Sequence, residues 1–473
     1  KLSNPASCIT RALKRVRTRE RVICTGTPIQ NNVSEYFAMV DYVRPGYWDR
    51  DEFRSLYTTT IRHGQRSAST PQQVRRMEEC SAQLYRELFK FVHRSDVGIL
   101  QRELPPLHEY VVRTPLSPLQ AKVYTNFLNQ SLKHCTKATN LQTQRILYLS
   151  AVLYKCGNHP DLVRLYCIHK GLPPDVLEDE DPFACDEFSF TQQDRRAQAL
   201  QVGNKDFAWA RPVFEPHFLP RTLEHSTKMV ALFEIIAKCM ELGEKVLVFS
   251  QWAQTLDIVE SLLPGLPPPA VSGDDGGGGA DAFADDGAWQ AGREYFRFDG
   301  DISNSRRQHI VDHFNDPASS SRLLLCCTKA GGLGINLTGA TRVVLFDTSW
   351  NPQADQQAIY RAYRYGQTKP VFVYRLVNEG TIEDAIFKKA YSKVFLFRRI
   401  VDDQSLQWKK KDLDSLRYIG LPTEPSKRVD RQLLKGDVVL QHLYSKSLVT
   451  SLECHSNLFA SDDMECLRRA SQI

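Results

Sequence analysis

The sequence holds 473 residues, of which 42% are apolar and 25% charged, with a formal net charge of +6. That is room for two or three domains with ordinary buried cores, and it excludes a disordered chain and a disulfide-stapled mini-protein. No apolar run reaches the roughly eighteen residues a membrane helix needs and no signal peptide opens the chain, so no membrane association is expected.

Taken in order, Ile9 to Thr18 reads as a basic helix and Arg21 to Cys24 as a strand. The strand runs into Thr25-Gly26-Thr27-Pro28-Ile29-Gln30-Asn31-Asn32, a strand-to-helix turn with Pro28 near the first helical position. Val33 to Leu100 is helical in period, broken by the polar stretch Gly64 to Pro71. Leu104-Pro105-Pro106 stops the helix. The residues from His108 then alternate like a strand, and Ser117-Pro118 opens another helix as N-cap and first position. Cys156-Gly157-Asn158-His159-Pro160 reads as a structural turn. Between Leu165 and Leu223 the pattern dissolves; seven acidic residues between Asp175 and Glu187 stand there without a Lys or Arg, so residues 165–222 are expected to be a disordered acidic insertion.

Order returns at Ser226, which caps a helix running through Met240. Strands then alternate with helices: Val246 to Ser250, Tyr295 to Asp299, Leu323 to Cys327, Val343 to Phe346 and Val371 to Arg375 are the strands. The helices fall near 252–263, 304–314, 354–364 and 381–399. The alternation predicts an α/β domain whose parallel sheet is covered on both faces. Residues 264–292, with Gly276 to Gly279 and five aspartates, read as a flexible loop. Beyond Lys409-Lys410-Lys411 the patterning is weak, and 406–473 has no assigned role.

The most informative stretch is Arg322 to Gln367. A buried-strand run ends at Thr328-Lys329, followed by Gly331-Gly332-Leu333-Gly334, where absent β-carbons let backbone N–H groups close on an anion. A second strand leads into Asp347-Thr348-Ser349-Trp350-Asn351-Pro352. On the helix after Pro352, Gln357, Arg361 and Arg364 fall at i, i+4 and i+7, on one face. Two arginines a turn apart are suited to phosphate oxygens. The chemistry-bearing residues each follow a predicted strand, and ligands of open parallel sheets bind beyond the carboxyl ends of the strands. Between Arg361 and Arg399 nine Lys/Arg face three acidic residues, a local excess of six that equals the net charge of the whole chain and suits a phosphate-binding footprint. Twelve cysteines are scattered without a Cys-x-x-Cys pair, as in a reducing compartment, and Cys156/His159 and His309/His313 lack partner pairs at zinc-site spacing, so no metal site is expected from this chain's side chains.

Thr328-Lys-Ala-Gly-Gly-Leu-Gly-Ile-Asn-Leu, Asp347-Thr-Ser-Trp-Asn-Pro and Gln357-Ala-Ile-Tyr-Arg-Ala-Tyr-Arg-Tyr-Gly-Gln resemble motifs V, Va and VI of the SWI/SNF-type ATPases, the DNA-translocating branch of helicase superfamily 2. Gly366-Gln-Thr-Lys-Pro-Val-Phe-Val-Tyr-Arg-Leu and Gly380-Thr-Ile-Glu-Asp look most like the ATRX-like subgroup of chromatin remodellers. Thr25 to Asn31 resembles motif III, which implies that Thr25, Gly26, Thr27, Pro28, Gln30 and Asn31 couple the nucleotide and DNA sites. Arg297-Phe298-Asp299-Gly300 resembles motif IVa, though Asp299 reads equally as a cap for the next helix.

The resemblance implies a RecA-like second lobe over 223–405, the end of a first RecA-like lobe with a helical protrusion over 1–105, and an inter-lobe bridge over 106–164. It implies ATP with Mg2+ as cofactors, and double-stranded DNA, nucleosomes or other chromatin proteins as partners, in the nucleus. Arg361 and Arg364 would be arginine fingers at the γ-phosphate, with Gln357 supporting them and Gly332 and Gly334 beside the nucleotide. Thr328, Lys329, Gly331, Gly332, Trp350 and Asn351 would lie along the DNA backbone; Trp350 reads equally as a core residue. No Gly-x-x-x-x-Gly-Lys-Ser/Thr and no Asp-Glu-x-His occurs in the sequence. The triphosphate cradle and the Mg2+ ligands are therefore expected upstream of Lys1, and the chain alone is expected to be inactive. Two other readings stay open: a DNA-binding or scaffold module that keeps the lobe only as a docking surface, and a strand-separating helicase.

Overall fold

The structure, a computed structural model, describes residues 7–18, 20–25, 33–64, 69–93, 102–133, 143–169, 211–214, 218–267, 289–300, 302–328, 334–390, 421–423 and 428–455. Two compact units emerge, one of Lys1–Asp96, Ser349–Gln353 and Ile386–Tyr418, the other of Val97–Thr348, Ala354–Ala385 and Ile419–Ile473.

The first unit is helical among its described residues. Helix α1 (Cys8–Lys14) is capped by Ser7, whose hydroxyl accepts from the Thr10 N–H. Helix α2 (Ser34–Val43) and helix α3 (Pro71–Leu88) supply most of the core, in which Tyr36, Phe37, Phe53, Tyr57, Ile61, Met77 and Leu84 are buried. Thr70 and Gln73 form a reciprocal capping box at the start of α3, with Pro71 as its first residue, so the polar Gly64–Pro71 break ends where the sequence says a helix can begin. Arg21 to Cys24, expected as a strand, belongs to no strand or helix. No strand lies beside it among the described residues, and Val22 is 87% exposed.

The second unit is built on one eight-stranded sheet, in the order β3-β4-β2-β5-β6-β1-β8-β7. Its strands are β1 (Leu107–Thr114), β2 (Val246–Ser250), β3 (Tyr295–Phe298), β4 (Leu323–Cys327), β5 (Arg342–Leu345), β6 (Val371–Asn378), β7 (Arg428–Val429) and β8 (Ser451–Cys454). From β3 through β6 to β1 every pairing is parallel. Residues of β2, β4 and β5 are buried almost throughout, because helices cover both faces; a strand buried twice reads as an unbroken apolar run, not an alternation.

Helices α4 (Pro118–Lys133), α5 (Thr143–Asn158), α6 (Pro160–His169), α7 (Thr227–Glu241), α8 (Ala253–Leu262), α9 (Asn304–Asn315) and α10 (Pro352–Ala362) complete the layers, and residues 382–390 are also helical. One face of the sheet packs Met229, Leu232, Ile235, Ile236 and Val259 against Val246, Val248 and Val344, and the other packs Ile310, Phe314, Ile359 and Ala362 against Leu247, Leu324 and Val343. The acidic insertion was expected to begin at 165, but α6 continues to His169; residues 170–210 and the greater part of the 264–292 loop lie outside the described residues.

The last described segment carries what the sequence left unassigned. β8 pairs antiparallel with β1 and β7 pairs parallel with β8, so the sheet is mainly but not wholly parallel. Helix α11 (Val438–Ser445) begins at Asp437, a buried carboxylate that accepts from Arg342 Nη1 (2.8 Å), from the Tyr374 hydroxyl (2.5 Å) and from the Val439 N–H (3.1 Å). Arg113 on β1 is clamped between Asp384 (3.2 Å) and Glu453 (2.5 Å) on β8. Burial works to raise the Glu453 carboxyl, but the bond from His455 and the charge of Arg113 outweigh it and hold its pKa at about 2, against an ordinary 4.5.

A carboxylate held below its unfolded pKa stabilises the fold above that pKa and loses its contribution as pH falls through the folded value. Glu453 therefore adds acid sensitivity between the ordinary 4.5 and about 2. Denaturant melts of Glu453→Gln over that window are expected to show a shallower fall of stability with acid than the parent chain. Identical pH slopes would contradict the ion pair.

Candidate functional site

The parallel strands end on one edge, and the residues with chemistry lie at or just past those ends: Ser250 closing β2 with Gln251 after it, Asp299 after β3, Thr328 after β4, Asp347 after β5 and Asn378 closing β6. Behind this edge lies a buried polar hub. Lys228, fully buried in the first turn of α7, donates to both carboxylate oxygens of Glu383 (2.7 and 2.8 Å) and to the Asn158 Oδ1 (3.1 Å), and it sits 5.0 Å from the Phe346 ring centroid. The Asn158 amide donates to Asp347 Oδ2 (3.1 Å) and to Thr255 (3.1 Å). Asp347 also accepts from the Ser250 hydroxyl (2.5 Å) and the Gln251 N–H (2.8 Å).

Burial raises the pKa of both Asp347 and Glu383 despite these donors. The adjoining Thr348 carbonyl accepts from Gln251 Nε2 (2.7 Å) and from the Tyr154 hydroxyl. Asn158 ends α5 and Pro160 opens α6, so the segment read as a turn is a one-residue break at His159, and the Asn158 amide ties that joint to Asp347 at the start of the 347–352 loop. Lys228 has no sequence signal beyond a Lys inside an apolar helix start, and Glu383 was singled out only within Gly380-Thr-Ile-Glu-Asp, with no role attached to it.

At the other end of that loop, Asn351 accepts from the Gln353 N–H (3.1 Å), an N-cap bond for α10, whose first residue is Pro352. Trp350 is half-buried, with the Lys389 ammonium 5.9 Å from its ring centroid, so it is neither a sealed core residue nor a bare one. Arg297 pairs with Asp257 (2.5 Å), Glu260 (2.5 Å) and Asp299 (2.9 Å); Asp299 is therefore an ion-pair partner, and Ser303 takes the cap position of α9.

The arginine pair differs from expectation in one respect. Gln357 and Arg361 lie on α10, but the helix ends at Ala362 and Arg364 stands in the bend beyond it. The cause is local. The Arg361 carbonyl, which a continuing helix would give to residue 365, instead accepts from the Leu337 N–H (2.9 Å), and the Ala362 carbonyl accepts from the Gln367 side chain (3.2 Å). Gly366, at φ +98°, makes the reversal that a β-carbon would resist.

The bend keeps Arg364 beside the glycine segment, with Nη1 3.4 Å from the Gly334 carbonyl. Arg361 is half-buried and Arg364 exposed; burial first and the Arg364 charge second pull the Arg361 pKa down. A desolvated guanidinium next to a like charge favours an anionic partner. The segment after Gly334 is fixed independently by α9, where Gly339 donates its N–H to Asn315 Oδ1 (2.9 Å) and Asn315 donates to the Asn336 carbonyl (2.8 Å). Thr328, exposed in part, directly follows β4; Lys329, Gly331 and Gly332 lie outside the described residues, as do Gly26, Thr27, Pro28, Gln30 and Asn31, while Thr25 is described and exposed.

Comparison with known proteins agrees with this layout. Residues 1–162 match the SNF2-related domain, and residues 227–366 match the helicase conserved C-terminal domain. The chain is similar to Protein CHROMATIN REMODELING 20 of Arabidopsis thaliana, 35% identical over 419 residues that cover 86% of this chain and 27% of that protein. It is 34% identical to the human Helicase ARIP4 over 468 residues, 91% of this chain and 31% of that protein. With the human Transcriptional regulator ATRX it shares 31% identity over 529 residues, 93% of this chain and 21% of that protein. The chain therefore spans less than a third of the length of these relatives.

Removing one partner of a buried ion pair leaves an uncompensated charge, so Lys228→Met is expected to cost about 3–5 kcal/mol in denaturant unfolding. Loss of under about 1 kcal/mol would show that the hub is not holding the loop. A β-carbon at Gly339 would lie 2.9 Å from both Asn315 Cα and the Phe314 carbonyl oxygen. Gly339→Ala is accordingly expected to lower stability by about 1–3 kcal/mol, checked by the same melts.

Proposed function

This chain belongs to the SNF2 family, and from that premise we propose that it is the C-terminal part of an enzyme that hydrolyses ATP on double-stranded DNA and moves along it. Its targets in this reading are nucleosomes or other chromatin proteins, and its compartment is the nucleus. Residues 1–105 finish a first RecA-like lobe, 106–164 bridge to the second, and 223–405 form that second lobe. The observation that carries the reading is the placement of Arg361 and Arg364 at the carboxyl edge of the sheet, tied through Leu337 and Gly334 to the segment that continues the glycine loop.

Bound ATP with Mg2+ would supply the phosphoryl group whose transfer drives the cycle. The Mg2+ ligands and the phosphate-binding loop belong, in this reading, to a part of the protein outside this sequence. Here the residues fit one wall of such a site. Two guanidinium groups, one partly desolvated, match the oxygens of a transferring phosphate, and a fixed positive charge in a drier environment stabilises developing negative charge more than it does in water. Gln357, on the same helix, would support the pair, and Gly332 and Gly334 would lie beside the nucleotide.

Thr328, Lys329, Gly331, Gly332, Trp350 and Asn351 would track the DNA backbone, which holds phosphates without reading sequence. Thr25, Gly26, Thr27, Pro28, Gln30 and Asn31 would couple that contact to the nucleotide. In the full-length protein, Arg361→Ala and Arg364→Ala are each expected to lower DNA-stimulated ATP hydrolysis about a thousandfold, with duplex binding retained. Unchanged turnover in both variants would overturn the motor reading and leave a DNA-binding or scaffold module.

A further inference from the structure

Tyr365 stands directly after Arg364, in the stretch 363–370 that belongs to no helix or strand between α10 and β6. It is 55% exposed, and Tyr444 is the other exposed tyrosine among the described residues. Tyr444 lies within α11, whereas Tyr365 sits just before the reversed backbone of Gly366, where a modifying enzyme meets no helix to unwind. The Tyr365 hydroxyl is hydrogen-bonded to the exposed Glu103 carboxylate, which raises its pKa and keeps the phenol protonated.

Arg364 is exposed too, and the bond from its Nη1 to the Gly334 carbonyl is long, at 3.4 Å. A guanidinium bound to a neutral carbonyl at that distance leaves it readily for a phosphate, because charge-assisted pairs are shorter and about twice as strong. The two side chains are neighbours in the chain, so a phosphate on the tyrosine meets the arginine at a high effective concentration.

We propose that Tyr365 is a phosphorylation site that turns the arginine pair off, its phosphate drawing Arg364 from Gly334 and filling the place where the pair meets an anion. The modifying enzyme is a protein tyrosine kinase with its own ATP. The Tyr365 oxygen attacks the γ-phosphorus, an O–P bond forms as the bond to ADP breaks, and the phenol proton passes to a base of the kinase. The added group carries a charge of about −1.5 to −2. Glu103 then faces a like charge and repels it, while Arg364 and the half-buried Arg361 attract it, so both effects move the phosphate the same way. The effect on hydrolysis rests on the motor reading above; the partner the phosphate takes does not.

The test treats the full-length protein and its Tyr365→Phe variant with the catalytic domain of a broad-specificity tyrosine kinase and ATP, then removes the kinase. Mass spectrometry is expected to find phosphate on Tyr365 and none on the buried Tyr124, Tyr154 and Tyr374. No phosphate at Tyr365 overturns the proposal. Phosphorus NMR of the treated protein, without nucleotide or DNA, follows the second ionisation of the phosphate, assigned as the signal that Tyr365→Phe lacks. Contact with the guanidinium groups is expected to lower that pKa below its free value of about 6, whereas a phosphate left beside Glu103 titrates above it and overturns the proposal.

In ATP hydrolysis with duplex DNA, the phosphorylated protein is expected to turn over about ten- to hundredfold more slowly than the untreated protein. Phosphatase treatment is expected to restore the rate, and treated Tyr365→Phe to keep it. Equal rates before and after phosphorylation of Tyr365 overturn the proposal. An untreated protein whose hydrolysis ignores DNA overturns the motor reading instead, and the phosphorus titration then decides by itself whether the phosphate seats on the arginines.

Discussion

The last turn of an α-helix has carbonyls that its own backbone cannot satisfy. In this chain that requirement organises the candidate site. The final carbonyls of α10 take their donors from Leu337 and from the Gln367 side chain, and so the helix that carries Arg361 is bonded to the segment leaving the glycine loop. Arg364 leaves the helix for the same reason and comes to rest against Gly334. Because the link consists of short-range hydrogen bonds in a buried setting, a shift of the loop must move the helix end or break bonds that water does not replace there.

The rest of the second unit supports that junction from behind. Lys228, Glu383, Asn158 and Asp347 form a charged hub in the interior, where the desolvation of each charge is offset only while all the partners are in place. The hub fixes Asp347 and hence the loop that leads into α10. On the far side of the sheet order, Arg342, Tyr374 and Asp437 attach the last described helix, and Arg113, Asp384 and Glu453 attach the last described strand. Isolated buried ion pairs are weak contributors to stability, but each of these joins segments distant in sequence and sets which neighbour a segment packs against.

Much of this was legible in the sequence, for physical reasons that differ from element to element. Leu323-Leu324-Leu325-Cys326-Cys327 reads as a strand because a strand covered on both faces is apolar throughout, and β4 occupies those residues. Asn351 and Pro352 announce the start of α10 by cap chemistry. Its end was not legible. Periodicity carries Gln357, Arg361 and Arg364 along one face, while the donor that replaces the helical bond at Arg361 comes from Leu337, a residue more than six turns away in helical terms.

Ser451 to Cys454 has no strand signature, and β8 exists because β1 offers an edge to pair with. Arg21 to Cys24 shows the reverse, an apolar-looking run with no described edge to join. Gln367 was read only as part of a motif and Lys228 not at all, because a polar residue in a sequence reads as solvated and only the fold reveals that carbonyls and carboxylates have closed around it.

The bond between the Leu337 N–H and the Arg361 carbonyl is the most direct object of measurement. Residue-resolved amide exchange by NMR on the folded protein reports on it without nucleotide or DNA. Leu337 lies in a non-helical, non-strand stretch, so without that bond its amide would exchange like those of an exposed loop. With the bond in place, protection of the same order as that of Val344 within β5 is expected. Exchange at the rate of an open loop would mean that the arginine-bearing helix and the glycine segment are not joined.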